Sequence, residues 1–234
     1  MFEEKKEEIG FTKMQLTITL ILVLFLSITS ATYAYFAISA INDNTVTGNA
    51  ATVNLTLTVT KLFPTSSSTN TGVLVPQLSI SGSATSPLAT ALKNGCVDNN
   101  QNVVCQVYKI TIQNVGGTAT QVVDGKVSFY GNTEMTTDVH STMQNLKWKL
   151  ITSVDTTTPA NSVLGTNTDL EANSSDNVFA DDVTLVTNAK YDYYMIIWIN
   201  EINADQPVEP GKSFYGKIQF NSANGTGVTS TFST

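Results

Sequence analysis

What most restricts the fold of this chain is an alternation of period two that runs through most of it beyond Gly48. Val53, Leu55, Leu57 and Val59 alternate with Asn54, Thr56, Thr58 and Thr60. Successive side chains of a strand point to opposite faces, so the pattern predicts a strand with one buried and one wet face. Apolar sets of the same kind recur at Tyr108, Ile110 and Ile112, at Val127 and Phe129, at Leu146, Trp148 and Leu150, at Val183 and Leu185, and at Phe214, Ile218 and Phe220. Lys147 and Lys149, interleaved with the Leu146–Leu150 set, mark a predicted wet face. Tyr191–Ile199 is apolar on both faces, which predicts a central strand. Gly216, inside the Phe214–Phe220 strand, predicts a bulge.

Turn-forming residues punctuate these strands at Pro64–Gly72, Ser81–Pro87 and Asn114–Thr118. The longer polar stretch Thr152–Asn177 is expected to be the least ordered part of the chain. No helix is predicted after residue 45. Seven or eight strands with this spacing predict an all-β fold, an antiparallel two-sheet sandwich (Ig-like or jelly-roll) after an N-terminal hydrophobic helix. The sandwich is expected to span 52–234, preceded by a connecting segment, 35–51. Removal of residues 1–34 leaves 200, and a domain of that size buries roughly 70% of its unfolded surface and needs no metal to fold.

No charged residue occurs between Lys13 and Asp43, and Leu16–Ile28 is apolar apart from two Thr and one Ser. About 20 such residues span a bilayer as a helix. Residues 1–34 therefore read as a signal peptide or a signal anchor. Small residues at Thr32 and Ala34 fit a cut between Ala34 and Tyr35, and Thr29 and Ala31 fit one after Ala31. Glu3, Glu4, Glu7 and Glu8 outnumber Lys5, Lys6 and Lys13, an unusual leader, although Lys13 sits at the cytoplasmic edge of the apolar core. The expected partner during export is a signal peptidase, and the expected location is extracellular or at the cell surface. An uncleaved chain would meet the membrane through residues 14–41.

Cys96 and Cys105 flank the polar run Asp98–Asn102. In an exported chain this spacing predicts a hairpin tied at its base by a disulfide, worth about 2–3 kcal/mol by loop closure. All 12 basic residues are Lys, none is Arg, and the formal net charge is −7. Nucleic-acid binders use Arg and a basic stripe, so that class is excluded.

The chain is also poor in the residues of catalysis. His140 is the only histidine, and a zinc site or a Ser-His-Asp triad would have to be built on it alone. There is no His-Glu-x-x-His, Gly-x-Ser-x-Gly, P-loop or dinucleotide fingerprint. Asp98-x-Asn100-x-Asn102 has the spacing with which an EF-hand loop begins. The Gly and Glu that such a loop needs later are here Val103 and Lys109. Asp181-Asp182 could lend oxygens to another site. The expectation is a protein with no catalytic, cofactor-binding or metal-binding residues, and not an enzyme.

Thr32-Tyr33-Ala34-Tyr35-Phe36, then Asn44, Val46 and Gly48, then the strand containing Val53, Leu55 and Leu57, resembles the TasA/camelysin group of secreted proteins. That resemblance covers residues 30–60 and implies export through an ER-type signal peptidase. It also implies kinship with fibre-forming proteins of the extracellular matrix and biofilm. The metallopeptidase label on the camelysin side does not transfer, because this chain lacks the histidines. Val104–Ile110 and Trp198–Glu201 resemble uncharacterised secreted proteins and imply no activity.

The expected function is thus an exported, non-enzymatic structural protein of the cell surface or extracellular matrix. It would self-associate into a homopolymer by exchanging the strand Val53, Leu55, Leu57, Val59 with a neighbour's sheet edge. One alternative is a secreted or anchored adhesin-like module; Tyr191, Tyr193, Tyr194 and Trp198 resemble a sugar platform for it but, lying on a central strand, are expected in the core. The other is a type IV pilin-like subunit that keeps its hydrophobic helix, for which Gly10-Phe11-Thr12 is the resemblance. Gln15 stands there in place of the pilin Glu, and Lys13 intrudes.

Overall fold

The computed structural model describes residues 43–50, 53–65, 74–78, 85–115, 120–175, 177–202, 212–222 and 227–233. The hydrophobic helix, the Ala34–Tyr35 cut and the pilin-like Gly10-Phe11-Thr12 lie outside the described residues. In chain order the strands are β1 (Asp43–Ala50), β2 (Val53–Phe63), β3 (Gln106–Asn114), β4 (Gln121–Tyr130), β5 (Leu146–Ile151), β6 (Leu170–Glu171), β7 (Asn177–Leu185), β8 (Lys190–Ile199), β9 (Tyr215–Ser222) and β10 (Gly227–Ser233). They form two antiparallel sheets. One runs β1-β2-β3-β8-β5-β6 and the other β10-β9-β4-β7. The all-β, two-sheet sandwich expected from the alternation is the observed architecture.

The period-two residues build the layer between the sheets. Leu55, Leu57 and Val59 of β2, Tyr108, Ile110 and Ile112 of β3, and Trp148 of β5 meet Val127 and Phe129 of β4, Ile218 and Phe220 of β9, and Phe232 of β10. Aromatic rings dominate one end of this core. Phe232 lies 4.5 Å from Tyr108 between ring centroids and 6.1 Å from Phe129, distances at which edge and tilted pairs are favourable.

A second core covers the outer face of the six-stranded sheet. Val107, Ile196 and Trp198 are buried there beneath Leu88, Ala91, Leu92 and the Cys96–Cys105 bridge. From Met195 to Ile199 the strand β8 is therefore buried on both faces, as its sequence predicted, with Met195 and Ile197 facing the main core and Ile196 and Trp198 the second, whereas Lys190–Asp192 are exposed. The cover includes a helix, α1 (Pro87–Lys93), that period-two reasoning did not foresee. Ser86 caps it by accepting from the Ala89 N–H at 3.2 Å, Pro87 stands in its first turn, and Gly95 at φ +72° lets the chain leave. This is the usual start and stop chemistry of a helix. Seven residues were too few to show a helical period.

Five further expectations are corrected. Residues 43–50, read as part of the connecting segment 35–51, form β1 and pair with β2 over eight residue pairs from Asp43↔Thr60 to Ala50↔Val53. The sandwich thus begins at Asp43 rather than at 52. A further strand, β10, follows Phe220, so the described residues hold ten strands rather than the seven or eight expected. Lys149 is not on a wet face, because its side chain is 1% exposed.

The stretch Thr152–Asn177 is well built where described. Ser153 and Val163 bridge, Leu164 is buried, and Asp155 accepts from the N–H groups of Thr157 and Thr158 at 2.9 and 2.8 Å. Its Ser, Thr, Asn and Asp residues are there to make turns from their own side chains. Gly216 is not a bulge either. It keeps regular register with Phe129 and Phe232, and a Cβ there would overlap the Phe232 ring. The register slips elsewhere, between Lys61 and Phe63 on β2 and around Gly125 on β4.

Candidate functional site

The cysteine hairpin forms as expected. Cys96 and Cys105 are bonded and fully buried, and Val97 bridges Val103 across the base. At its tip Asp98 Oδ1 accepts from the N–H of Asn100 and of Asn102, both at 2.8 Å, while Oδ2 accepts from Asn102 Nδ2 at 3.0 Å. The bond from the Asn102 side chain, with those two N–H groups, holds the Asp98 carboxyl below its usual range. The calcium-like spacing is thus spent on the turn itself, since both carboxylate oxygens point inward to the loop's own donors.

His140 stands on a single 3-10 turn, Val139–Ser141, with Nε2 at 3.9 Å from Glu171 Oε2. Its Nδ1 is buried and has no hydrogen-bond partner among the described residues. The adjacent Asp138 is occupied structurally. It accepts from Ser174 N–H at 2.9 Å, Ser174 Oγ at 2.6 Å and His140 N–H at 2.7 Å. Burial by itself would raise this carboxyl, but those bonds outweigh it and hold it below the usual range.

Asp181 and Asp182 do acquire a neighbour that spacing could not reveal. Asp124, across the β4–β7 pairing, brings the three carboxylates within 4.8 Å of one another. The Asp182 N–H donates to Asp124 Oδ1 at 2.9 Å, and Asp182 has φ +48°. Three carboxylates at this range could share a hard cation. Asp181 and Asp182 are exposed, where carboxylates are ordinarily solvated.

The aromatic set expected in the core is divided by the fold. Trp198 and Trp148 are 0% and 1% exposed, and only Tyr191, at 44%, stands clear. Tyr193 packs edge-on against Phe179 at 5.4 Å. The tryptophans are core.

The sheet edges differ from one another in a way that bears on assembly. At one side of the sandwich, β6 has two residues. At the same end of the order in the other sheet, β7 slips register and carries Asp181 and Asp182. Short, irregular and charged edges resist the addition of another strand. At the opposite ends lie β1 and β10, which pack near one another. Both keep unbroken register with their neighbours, and neither Asn44–Ala50 nor Gly227–Ser233 contains a charge or a proline. Among the described residues no strand follows β1 on its outer side.

The strand expected to exchange is not at an edge. Val53, Leu55, Leu57 and Val59 belong to β2, which is paired with β1 on one side and β3 on the other. Leu55, Leu57 and Val59 are at most 1% exposed, so withdrawing β2 would open the main core. No family model matches this chain, and no curated protein matches it.

Proposed function

We propose that this protein is an exported, non-enzymatic structural protein of the cell surface or extracellular matrix, a fibre subunit that adds to the next copy through an open sheet edge. The observation that carries this reading is the unequal treatment of the edges: β6 and β7 are blunted, while β1 is regular, uncharged beyond Asp43 and, among the described residues, without a strand on its outer side. A strand pairing there gains backbone hydrogen bonds whatever its side chains. The exchanging element is then β1 rather than β2. The resemblance of residues 30–60 to the TasA/camelysin group supports the same reading, as does the apolar export segment upstream.

The test is sedimentation of the exported chain over a wide concentration range, with a Thr45→Lys/Thr47→Lys variant beside it. Lysine on an edge strand blocks addition. The wild type should form a protease-resistant polymer, and the variant should remain a folded monomer. A wild type that stays monomeric at every concentration would overturn the reading.

A further inference from the structure

The ion pairs of the six-stranded sheet are not alike. Lys147 opposes Glu171 in the β5–β6 register, and the two carry side-chain exposures of 23% and 47%. Lys109 and Asp192, on β3 and β8, are about equally open at 29% and 30%. These are ordinary surface pairs. Just beyond the end of the β5–β6 pairing, Lys149 meets Asp169, and that pair is 1% and 14% exposed with Nζ at 2.7 Å from Oδ1. The Lys149 ammonium also lies 5.8 Å from the centroid of the Trp198 ring, in the second core.

Two full charges in such a place are costly, because the desolvation of each is only partly returned by their attraction. The same atoms have a second, uncharged way to satisfy one another. We propose that Lys149 and Asp169 condense to an intramolecular isopeptide bond, an amide between Nζ and Cγ.

The reaction uses only the atoms present. The Lys149 ammonium passes a proton to the Asp169 carboxylate across the 2.7 Å contact. The freed amine attacks Cγ, a C–N bond forms, and the C–O bond of the protonated oxygen breaks. That oxygen leaves as water with two of the three ammonium hydrogens, and the third stays on the amide nitrogen. Nothing is oxidised or reduced.

Three features favour the step. Contact geometry replaces a bimolecular encounter, for which effective molarities reach about 10⁵–10⁸ M. The Lys149 side of the contact is shielded from the water that would reverse it, at 1% exposure against 14% for Asp169. The product exchanges two buried charges for one neutral amide. The bond would fasten β5 to the chain just before β6 and close the 20-residue span between them. The inference does not rest on the assembly reading.

The test is the intact mass of the full exported chain, denatured and reduced, counted from whatever N-terminus its first peptide shows. The expected mass is one water below that of the sequence. A protease digest should yield a branched peptide joining Lys149 to Asp169. Lys149→Arg keeps the charge but cannot form the amide, and it should restore the missing water, as should Asp169→Ala. If either variant fails to fold, the branched peptide of the wild type decides the matter by itself. A reduced wild-type mass equal to the sequence, or a water loss that maps elsewhere or persists in Lys149→Arg, would overturn the proposal.

Discussion

Gly216→Ala separates two reasons for a glycine inside a strand. If conformational entropy were the only issue, alanine would stabilise β9 by roughly 0.5–1 kcal/mol. The structure says the opposite, because the new Cβ would overlap the ring of Phe232. That ring is 5% exposed, with Tyr108 at 4.5 Å, Phe129 at 6.1 Å and Phe214 at 6.3 Å between centroids. It cannot retreat without displacing a neighbour, and overpacking of a filled core costs about 1–3 kcal/mol. The expected net effect is a loss of about 1–2 kcal/mol, once the entropic gain is set against that strain. Phe232→Ala alone should cost roughly 3–5 kcal/mol.

In the double variant the added methyl occupies space the ring has left, so alanine at 216 should then be neutral or mildly stabilising. The pair should therefore couple by about 2 kcal/mol in the direction of mutual rescue. Urea titration followed by fluorescence of the buried Trp148 and Trp198 gives all four free energies. A Gly216→Ala variant more stable than wild type, or strict additivity of the two changes, would refute the steric reasoning.

Two other outcomes are expected. Cys96→Ala/Cys105→Ala should lower stability by about 2.5 kcal/mol, the loop-closure value for a sequence separation of 9; a urea midpoint equal to that of the oxidised wild type would contradict it. The Asp98, Asp138, Asp155 and Asp192 carboxyls are all held below their usual range. A depressed folded value gives stability that is complete above the unfolded value, near 4, and is lost as pH falls through the folded one. The urea midpoint should accordingly be flat near neutrality and decline in acid. Asp138→Asn should cost about 1–3 kcal/mol at pH 7 and little once the wild-type carboxyl is protonated. A midpoint that rises on acidification would be inconsistent with this.

The parts of the fold that were legible beforehand are those set by short-range periodicity. β2, β3 and β9 could be read because over most of their length alternate residues are buried in the main core while those between them are at least partly exposed. The two-sided apolar run of β8 announced a central strand, and the cysteine spacing announced the tied hairpin. β1 was not legible, since Asn44, Thr45, Thr47, Gly48 and Asn49 carry no apolar alternation. It is a strand because the edge of β2 supplies backbone partners. The order of Thr152–Asn177 was hidden for a related reason: its turn residues look the same in a built loop as in a loose one. Only the partners show that Asp155 closes a turn.

The sequence by itself determined the class of fold, because burial of alternate side chains is a local consequence of strand geometry. Tertiary structure alone decided the rest: which strand lies at an edge, that Asp124 joins Asp181 and Asp182, and that Lys149 is buried against Asp169 while Lys147, two residues away, is not. Each depends on which distant segment covers a given face, and the alternation of a strand holds no record of that.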